Sequence, residues 1–227
     1  MKKILLASAL VLAIAVSAAV AQEVLSANAV GYIKKTLPAG GKLVAMSIPL
    51  DSMTNTSLVF GETSVAAEAP VNSVVYFWDP ILQSWLAGAK STKGWGAFST
   101  REIEAGEGFF LQGDPSSASE AEVTITGEVP SDPTLSRSIP GGNALGTLSN
   151  PYPVDFTFGT SSVASNASVD SVVYFWDQDL QSWLAGAKST KGWGAFATRE
   201  VQAGEGFFLQ EVGAGTTWDV LKPYTWP

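Results

Sequence analysis

The chain contains no cysteine and no histidine among its 227 residues. Their absence excludes cysteine nucleophiles, serine–histidine triads and the usual zinc and copper sites, and we expect neither a metal nor a cofactor. Basic residues are scarce, because 13 Lys and Arg stand against 21 Asp and Glu and give a formal net charge of −8. Such a surface repels nucleic acid and anionic membranes, so we expect no nucleic-acid partner.

Only the N-terminus carries a long hydrophobic run. The chain begins "MKKILLASALVLAIAVSAAVAQEV", in which two lysines precede an apolar stretch and Ala19 and Ala21 stand at cleavage spacing. This pattern predicts a signal-peptide helix over residues 1–21, cleaved after Ala21. A membrane-spanning helix is the alternative, but the run is short and lacks a basic stop-transfer flank. We therefore expect a periplasmic or extracellular protein with no stable membrane span after cleavage.

Without cysteine, an exported chain has no disulfides and must be stabilised by apolar burial alone. The aromatic content is sufficient for this, with 8 Trp and 11 Phe. Apolar packing is therefore expected to account for much of the aromatic content.

A long tract occurs twice. Residues 71–112 recur at residues 169–210 with six differences in 42 positions, and weaker similarity extends upstream of both copies. Such self-similarity indicates tandem structural units. We expect a first lobe over residues 22–126 and a second over residues 127–227.

Short strand-like segments separated by turn residues make up each unit. In the first unit, "KLVAMSI", "SVVYFWD", "QSWLAGA" and "GFFLQ" are rich in apolar, β-branched or aromatic residues, and "SVVYFWD" and "QSWLAGA" are joined by an Asp-Pro turn. The alternating segment "AEVTITGEV" either closes the first lobe or opens the second. The pattern predicts an all-β chain with two tandem β-sandwich or barrel-like lobes.

Several motifs resemble those of a family of uncharacterised secreted bacterial repeat proteins. They are "NAVGY" at 28–32, "LPAG" at 37–40, "YFWD" at 76–79, "AGEGFF" at 105–110 and "VTITGEV" at 123–129. The resemblance covers nearly all of the chain after the signal peptide. It implies export and a β-rich fold, and it implies no reaction.

The residues that remain for catalysis are carboxylates. Glycoside hydrolysis needs two of them, and the recurring pairs are Asp79 with Glu107 and Asp177 with Glu205. The aspartates stand at turns, however, where this residue is favoured because it hydrogen-bonds the local backbone. We therefore expect that the protein is not an enzyme.

The tryptophans of the repeated hairpin have two interpretations. One is a core of cross-strand aromatic pairs, which a disulfide-free lobe needs. The other is an exposed platform on which sugar rings stack, flanked by amide and ammonium donors. The candidate ligand-binding residues for that second interpretation are Trp78, Gln83, Trp85, Lys90, Lys93, Trp95, Trp176, Gln181, Trp183, Lys188, Lys191 and Trp193.

Polar loop residues are also identical in the two copies, and a core does not explain this because surface substitutions usually cost little. Either the tract was copied recently, or both copies present the same surface to something. The leading hypothesis is an exported non-enzymatic component of a cell surface, matrix or assembly, which associates with itself or with other surface components. The alternative is a bivalent protein that binds glycans through the two hairpins.

Overall fold

The computed structural model describes residues 29–225. The predicted signal peptide lies outside this range. The α-helices within the range have five residues each, so no helix there is long and apolar enough to cross a membrane.

The first unit contains eight strands, one α-helix and two 3-10 turns. In chain order these are β1 (Val30–Leu37), β2 (Leu43–Ser47), β3 (Leu58–Val59), η1 (Phe60–Glu62), α1 (Ser64–Glu68), β4 (Val74–Asp79), β5 (Ser84–Ala89), η2 (Gly96–Thr100), β6 (Glu102–Ile103), β7 (Gly108–Gln112) and β8 (Ala121–Glu128).

The second unit repeats this order element by element. It consists of β9 (Thr134–Ile139), β10 (Ala144–Ser149), β11 (Phe156–Thr157), η3 (Phe158–Thr160), α2 (Ser162–Asn166), β12 (Val172–Asp177), β13 (Ser182–Ala187), η4 (Gly194–Thr198), β14 (Glu200–Val201), β15 (Gly206–Glu211) and β16 (Thr216–Leu221).

Each unit combines a four-stranded antiparallel sheet with a two-stranded ribbon. The sheet order is β2-β7-β4-β5 in the first unit and β10-β15-β12-β13 in the second. The ribbons are β1-β8 and β9-β16, and two-residue pairs, β3-β6 and β11-β14, complete the units. Sheet and ribbon enclose the core, because Val123 and Ile125 of β8 belong to the same buried cluster as Phe77 and Leu111 of the sheet. The second unit has its own cluster around Phe175 and Leu209.

Strand β4 shows how the sequence produces this sheet. Successive side chains of a strand point to opposite faces. Val75 and Phe77 are fully buried, whereas Tyr76 and Trp78 lie half-buried on the other face. The strand therefore supplies one face to its own core and leaves a second aromatic face for another partner.

The helix α1 was not predicted because five residues are too few to show a helical period. It is nevertheless well specified locally, because the Thr63 side chain caps it by accepting a hydrogen bond from the Ala66 N–H at 3.1 Å. Ser161 caps α2 in the same way.

The prediction of an all-β chain in two tandem lobes is confirmed. Strand β8 pairs with β1 along its whole length, so the segment "AEVTITGEV" closes the first unit. The expected lobe boundary between residues 126 and 127 falls inside this strand.

Candidate functional site

The repeated hairpins β4–β5 and β12–β13 are closed by aspartate turns. Asp79 Oδ1 accepts hydrogen bonds from the N–H groups of Ile81 and Leu82, at 2.8 and 2.9 Å. Asp177 does the same in the second unit. These aspartates therefore have the structural role that the turn pattern indicates.

The glutamine after each turn reaches the other unit. Gln83 Oε1 accepts a hydrogen bond from the Leu145 N–H at 2.7 Å, and its Nε2 donates to the Leu145 carbonyl at 3.1 Å. Gln181 makes the same two contacts with Leu43, at 2.8 and 3.1 Å. The amide side chain thus pairs with both backbone groups of one residue, and the two units bind each other reciprocally, as in an isologous dimer.

The first tryptophan of each hairpin strengthens this docking. Trp78 Nε1 donates to the Leu145 carbonyl at 2.7 Å, and Trp176 Nε1 donates to the Leu43 carbonyl at 3.0 Å. Each of these leucine carbonyls therefore accepts two hydrogen bonds from the opposite unit.

An aromatic cluster fills the interface between the hairpins. Within it, Phe110 stacks on Phe208 with their ring centroids 6.4 Å apart, and each is 3% exposed. Trp85 and Trp183 cover this pair edge-on and are each 39% exposed. The members of the aromatic cluster are Trp78, Trp85, Phe110, Trp176, Trp183 and Phe208.

An open cavity of about 250 Å³ lies on this cluster, lined by Trp85, Trp176 and Trp183 together with Tyr76, Phe110 and Leu43. It draws side chains from both units. The two hairpins therefore form one shared aromatic surface.

Backbone contacts bring the sheets together behind the cluster. The Ser47 N–H donates to the Gly204 carbonyl at 3.0 Å, and the Ser149 N–H donates to the Gly106 carbonyl at 2.9 Å. A Cβ on Gly206 would lie 2.7 Å from the Met46 carbonyl oxygen, a distance that real side chains do not adopt. The second glycine of the repeated "GEGFF", Gly206, is thus required for the close approach of the units.

Four of the predicted ligand-binding residues lie inside their own units. Trp95 and Trp193 are 4% and 5% exposed, and their Nε1 atoms donate to the carbonyls of Ala66 and Ala164 at 2.8 Å. Lys90 Nζ donates to three carbonyls at the C-terminal end of α1, from residues 66, 67 and 69. Lys188 does the same at α2. A lysine at this end also complements the helix dipole.

The remaining two predicted residues, Lys93 and Lys191, are exposed in tight turns away from the aromatic cluster. The structure thus assembles Trp78, Gln83, Trp85, Trp176, Gln181 and Trp183 at one interface. It separates them from the lysines and from Trp95 and Trp193.

Burial raises the pKa of Glu107, although the nearby Arg101 guanidinium opposes this. The Glu107 side chain is 2% exposed, bonds Arg101 at 2.6 Å and accepts a hydrogen bond from the Glu104 N–H at 3.0 Å. Glu205 is bonded to Arg199 in the same way at 2.8 Å. These carboxylates therefore stabilise the turns before β7 and β15.

The two flanks of the interface differ. On one flank Arg137 of the second unit forms an ion pair with Glu104 of the first. On the other flank the corresponding residues are Lys35 and Gln202, and within the described range Lys35 Nζ makes no direct hydrogen bond or ion pair. Burial lowers the pKa of Lys35, while Glu205 and Asp155 raise it to a smaller extent.

A groove of about 550 Å³ opens on the Lys35 flank, between β1–β2 of the first unit and the turns of the second. Across residues 29–225, no group of three or more carboxylates is arranged to hold a metal ion. The aromatic cavity is lined by three of the predicted ligand-binding tryptophans, and the polar groove lies beside Lys35, so we take these two as the candidate binding surfaces.

Sequence reasoning missed the residues with which the hairpins dock. Leu43 and Leu145 contribute backbone atoms, for which no side-chain pattern exists. Phe110 and Phe208 were available as a signal, because the repeated "GFFLQ" strand is apolar on both faces and such a strand must be covered on both.

No protein-family model, curated protein or solved structure matches this chain. The family resemblance of its motifs stays a prediction.

Proposed function

We propose that this chain is an exported, non-enzymatic assembly component that associates with copies of itself through the outer strands β5 and β13. The observation that carries the proposal is that each four-stranded sheet has the same sequence, "SWLAGA", in an unprotected edge strand. A sheet edge with free backbone N–H and C=O groups is a template for pairing with another chain.

The edge strands lack the features with which proteins usually block such pairing. Five of the six residues of β5 are exposed, and the strand contains neither a charged residue nor a proline. By contrast, β2 and β10 at the opposite edges are covered at Leu43 and Leu145 by the glutamine of the other unit. The open edges of the two four-stranded sheets are therefore β5 and β13.

A second copy of the chain is the partner that these strands favour. Two "SWLAGA" strands can pair antiparallel, with apolar and small side chains on both faces and no charge repulsion between them. Because each molecule carries two such edges, pairing extends a chain of molecules and does not stop at a dimer.

The contacts of the four candidate carboxylates support a role without catalysis. Asp79 and Asp177 bind turn backbone, while Glu107 and Glu205 are paired with arginines. These bonds supply structural roles for the four acids that the sequence offered for glycoside chemistry.

The test is the molecular mass of the purified mature protein, measured by sedimentation velocity over a range of concentrations. We expect the mass to rise with concentration, and we expect Ala87→Lys with Ala185→Lys to remain monomeric because a lysine on an edge strand opposes pairing. Thr92→Lys with Thr190→Lys is the matched control, because it adds the same charge at exposed turn positions. A wild-type protein that is monomeric throughout would refute the proposal, as would equal loss of association in both variants.

The second candidate is the bivalent glycan-binding protein. The observation that favours it is that the equivalent residues Trp85 and Trp183 are each 39% exposed, although both line one shared aromatic cavity. A glycan array on the mature protein tests this candidate, and binding must be weakened by Trp85→Ala and by Trp183→Ala alike. An array without signal would eliminate it.

A further inference from the structure

The differences between the two copies of the tract are concentrated at one place. Gln178, Asp179 and Gln202 line the polar groove, and they are three of the six positions at which the copies differ. The groove uses only eight of the 42 tract positions, so half of the differences fall in about a fifth of the tract. The corresponding residues of the first copy are Pro, Ile and Glu.

The two flanks of the interface, called open and closed below, differ in their cavities: a groove of about 550 Å³ lies beside Lys35, and a smaller cavity of about 300 Å³ lies beside Glu104. On the closed flank the long Arg137 side chain is 10% exposed and pairs with Glu104 across the interface. On the open flank the shorter Lys35 and the uncharged Gln202 stand at the corresponding positions, and both line the groove of about 550 Å³ together with Glu205. This volume is within the usual range of small-molecule sites.

Polar groups in the groove remain without partners among the described residues. The side chains of Gln178, Asp179 and Gln202 make no hydrogen bond there, and neither does the Lys35 ammonium. Together they offer two amides, a carboxylate acceptor and a cationic donor. The groups left free are thus largely those that distinguish this flank from the other.

The remaining lining indicates what kind of ligand fits. Trp176 lines both the groove and the aromatic cavity, and it adds an aromatic surface to the polar groups. Three cationic and three anionic side chains line the groove, so it carries no net formal charge. An aromatic surface beside amides and a carboxylate suits a ring that has apolar C–H faces and many hydroxyls.

We propose that this groove binds a neutral oligosaccharide, with one site per chain. The sugar ring packs on Trp176, and its hydroxyls exchange hydrogen bonds with Gln178, Asp179, Gln202 and Lys35. The inference is independent of self-assembly through the edge strands. It also differs from the bivalent hypothesis, which requires two equivalent sites.

The experiment is isothermal titration of the mature protein with cellohexaose, maltohexaose and hexa-N-acetylchitohexaose, and with an oligogalacturonate as the charged probe. We expect at least one neutral hexasaccharide to bind with a stoichiometry of one. No binding of any neutral probe would overturn the proposal, as would binding of the oligogalacturonate alone or a stoichiometry of two.

The groove variants are designed by copying residues of the closed flank into the open one. Lys35→Arg with Gln202→Glu copies the ion pair of the other flank into the groove, and we expect at least a tenfold loss of affinity. Asp179→Ile is a second, separate variant, because the fold already accommodates Ile81 at the same turn position. It should also weaken binding at least tenfold.

The matched control exchanges the same residue types on the closed flank. Arg137→Lys with Glu104→Gln removes an interface ion pair and leaves the groove untouched, so affinity should stay within twofold of wild type. If this control loses affinity as much as the groove variants do, or if the groove variants bind as well as wild type, the site is not in the groove.

Discussion

The contact that can be tested most sharply is the glutamine that joins the two units. Gln181 exchanges two hydrogen bonds with the backbone of Leu43. In Gln181→Ala both are lost, together with the bond that Gln181 Nε2 donates to the Gln178 carbonyl at 2.6 Å, but the Leu43 carbonyl keeps its bond from Trp176 Nε1 at 3.0 Å. At about 0.5–1.5 kcal/mol per hydrogen bond, the loss of three should lower the free energy of unfolding by about 1.5–4.5 kcal/mol.

The variant Gln181→Glu distinguishes the effect of the lost hydrogen bonds from the effect of a smaller side chain, because glutamate has nearly the same volume as glutamine. The glutamate keeps an acceptor for the Leu43 N–H, but at neutral pH it places a carboxylate beside the Leu43 carbonyl, which the Gln181 amide contacts at 3.1 Å. We expect it to be no more stable than the alanine variant at pH 7. Below about pH 4.3 the carboxyl is protonated and donates a hydrogen bond, so stability should approach that of wild type at the same pH.

Equilibrium urea unfolding at several pH values measures both effects. Gln83→Ala is the internal control, because Gln83 makes the same pair of contacts with Leu145, and its cost should agree with that of Gln181→Ala within about 0.5 kcal/mol. The reasoning is refuted if Gln181→Ala unfolds with wild-type stability, or if Gln181→Glu matches wild type at neutral pH.

Two further predictions concern burial and charge. Trp193→Ala should lower the free energy of unfolding by about 3–5 kcal/mol, because Trp193 is only 5% exposed. Trp183→Ala should lower it by clearly less, because Trp183 is 39% exposed. Equal losses of stability in urea unfolding would contradict this prediction. Burial raises the pKa of Glu211, but hydrogen bonds from Ser168, Gly213 and Ser171 outweigh it, so the folded pKa lies below 4.5. The ionised group therefore stabilises the fold above about pH 4.5, and this contribution is lost as the pH falls through the folded pKa. In Glu211→Gln the unfolding free energy should change less between about pH 6 and pH 3, and an unchanged slope would show that the bonds do not form.

The strands could be predicted from the sequence because their signal is local. Val75 and Phe77 alternate with Tyr76 and Trp78, and the structure buries the first pair in the unit's own core. The two-lobe architecture could be predicted because the repeat is nearly exact in three of the four strands of each sheet.

The docking of the units could not be predicted, because it joins residues such as Gln181 and Leu43 that are 138 positions apart. Nothing local in either segment specifies the other, and the contact on Leu43 is to backbone atoms. The usable signals were the second face of β4, with Tyr76 and Trp78, and the doubly apolar strand "GFFLQ", since an aromatic face of that size needs a cover.

The structure explains why some of the polar loop residues are identical in the two copies. Gln83 and Gln181 match because each docks the other unit, and Lys90 and Lys188 match because each binds the end of a helix. Both copies therefore present one surface to each other. The exposed Lys93 has no such contact, and nothing in the structure explains why it is repeated.

Because the two units dock on each other, substitutions between the two copies of the tract differ in how much stability they cost. Gln178 and Asp179 stand at the tip of a turn, where substitutions usually cost little. The exchange of an interface ion pair for Lys35 and Gln202 is different, because the half-buried Lys35 ammonium is desolvated and the carboxylates of Glu205 and Asp155 offset this only in part, without a direct ion pair. Lys35 bears that cost beside an open groove, and a ligand that accepts its hydrogen bonds would offset it.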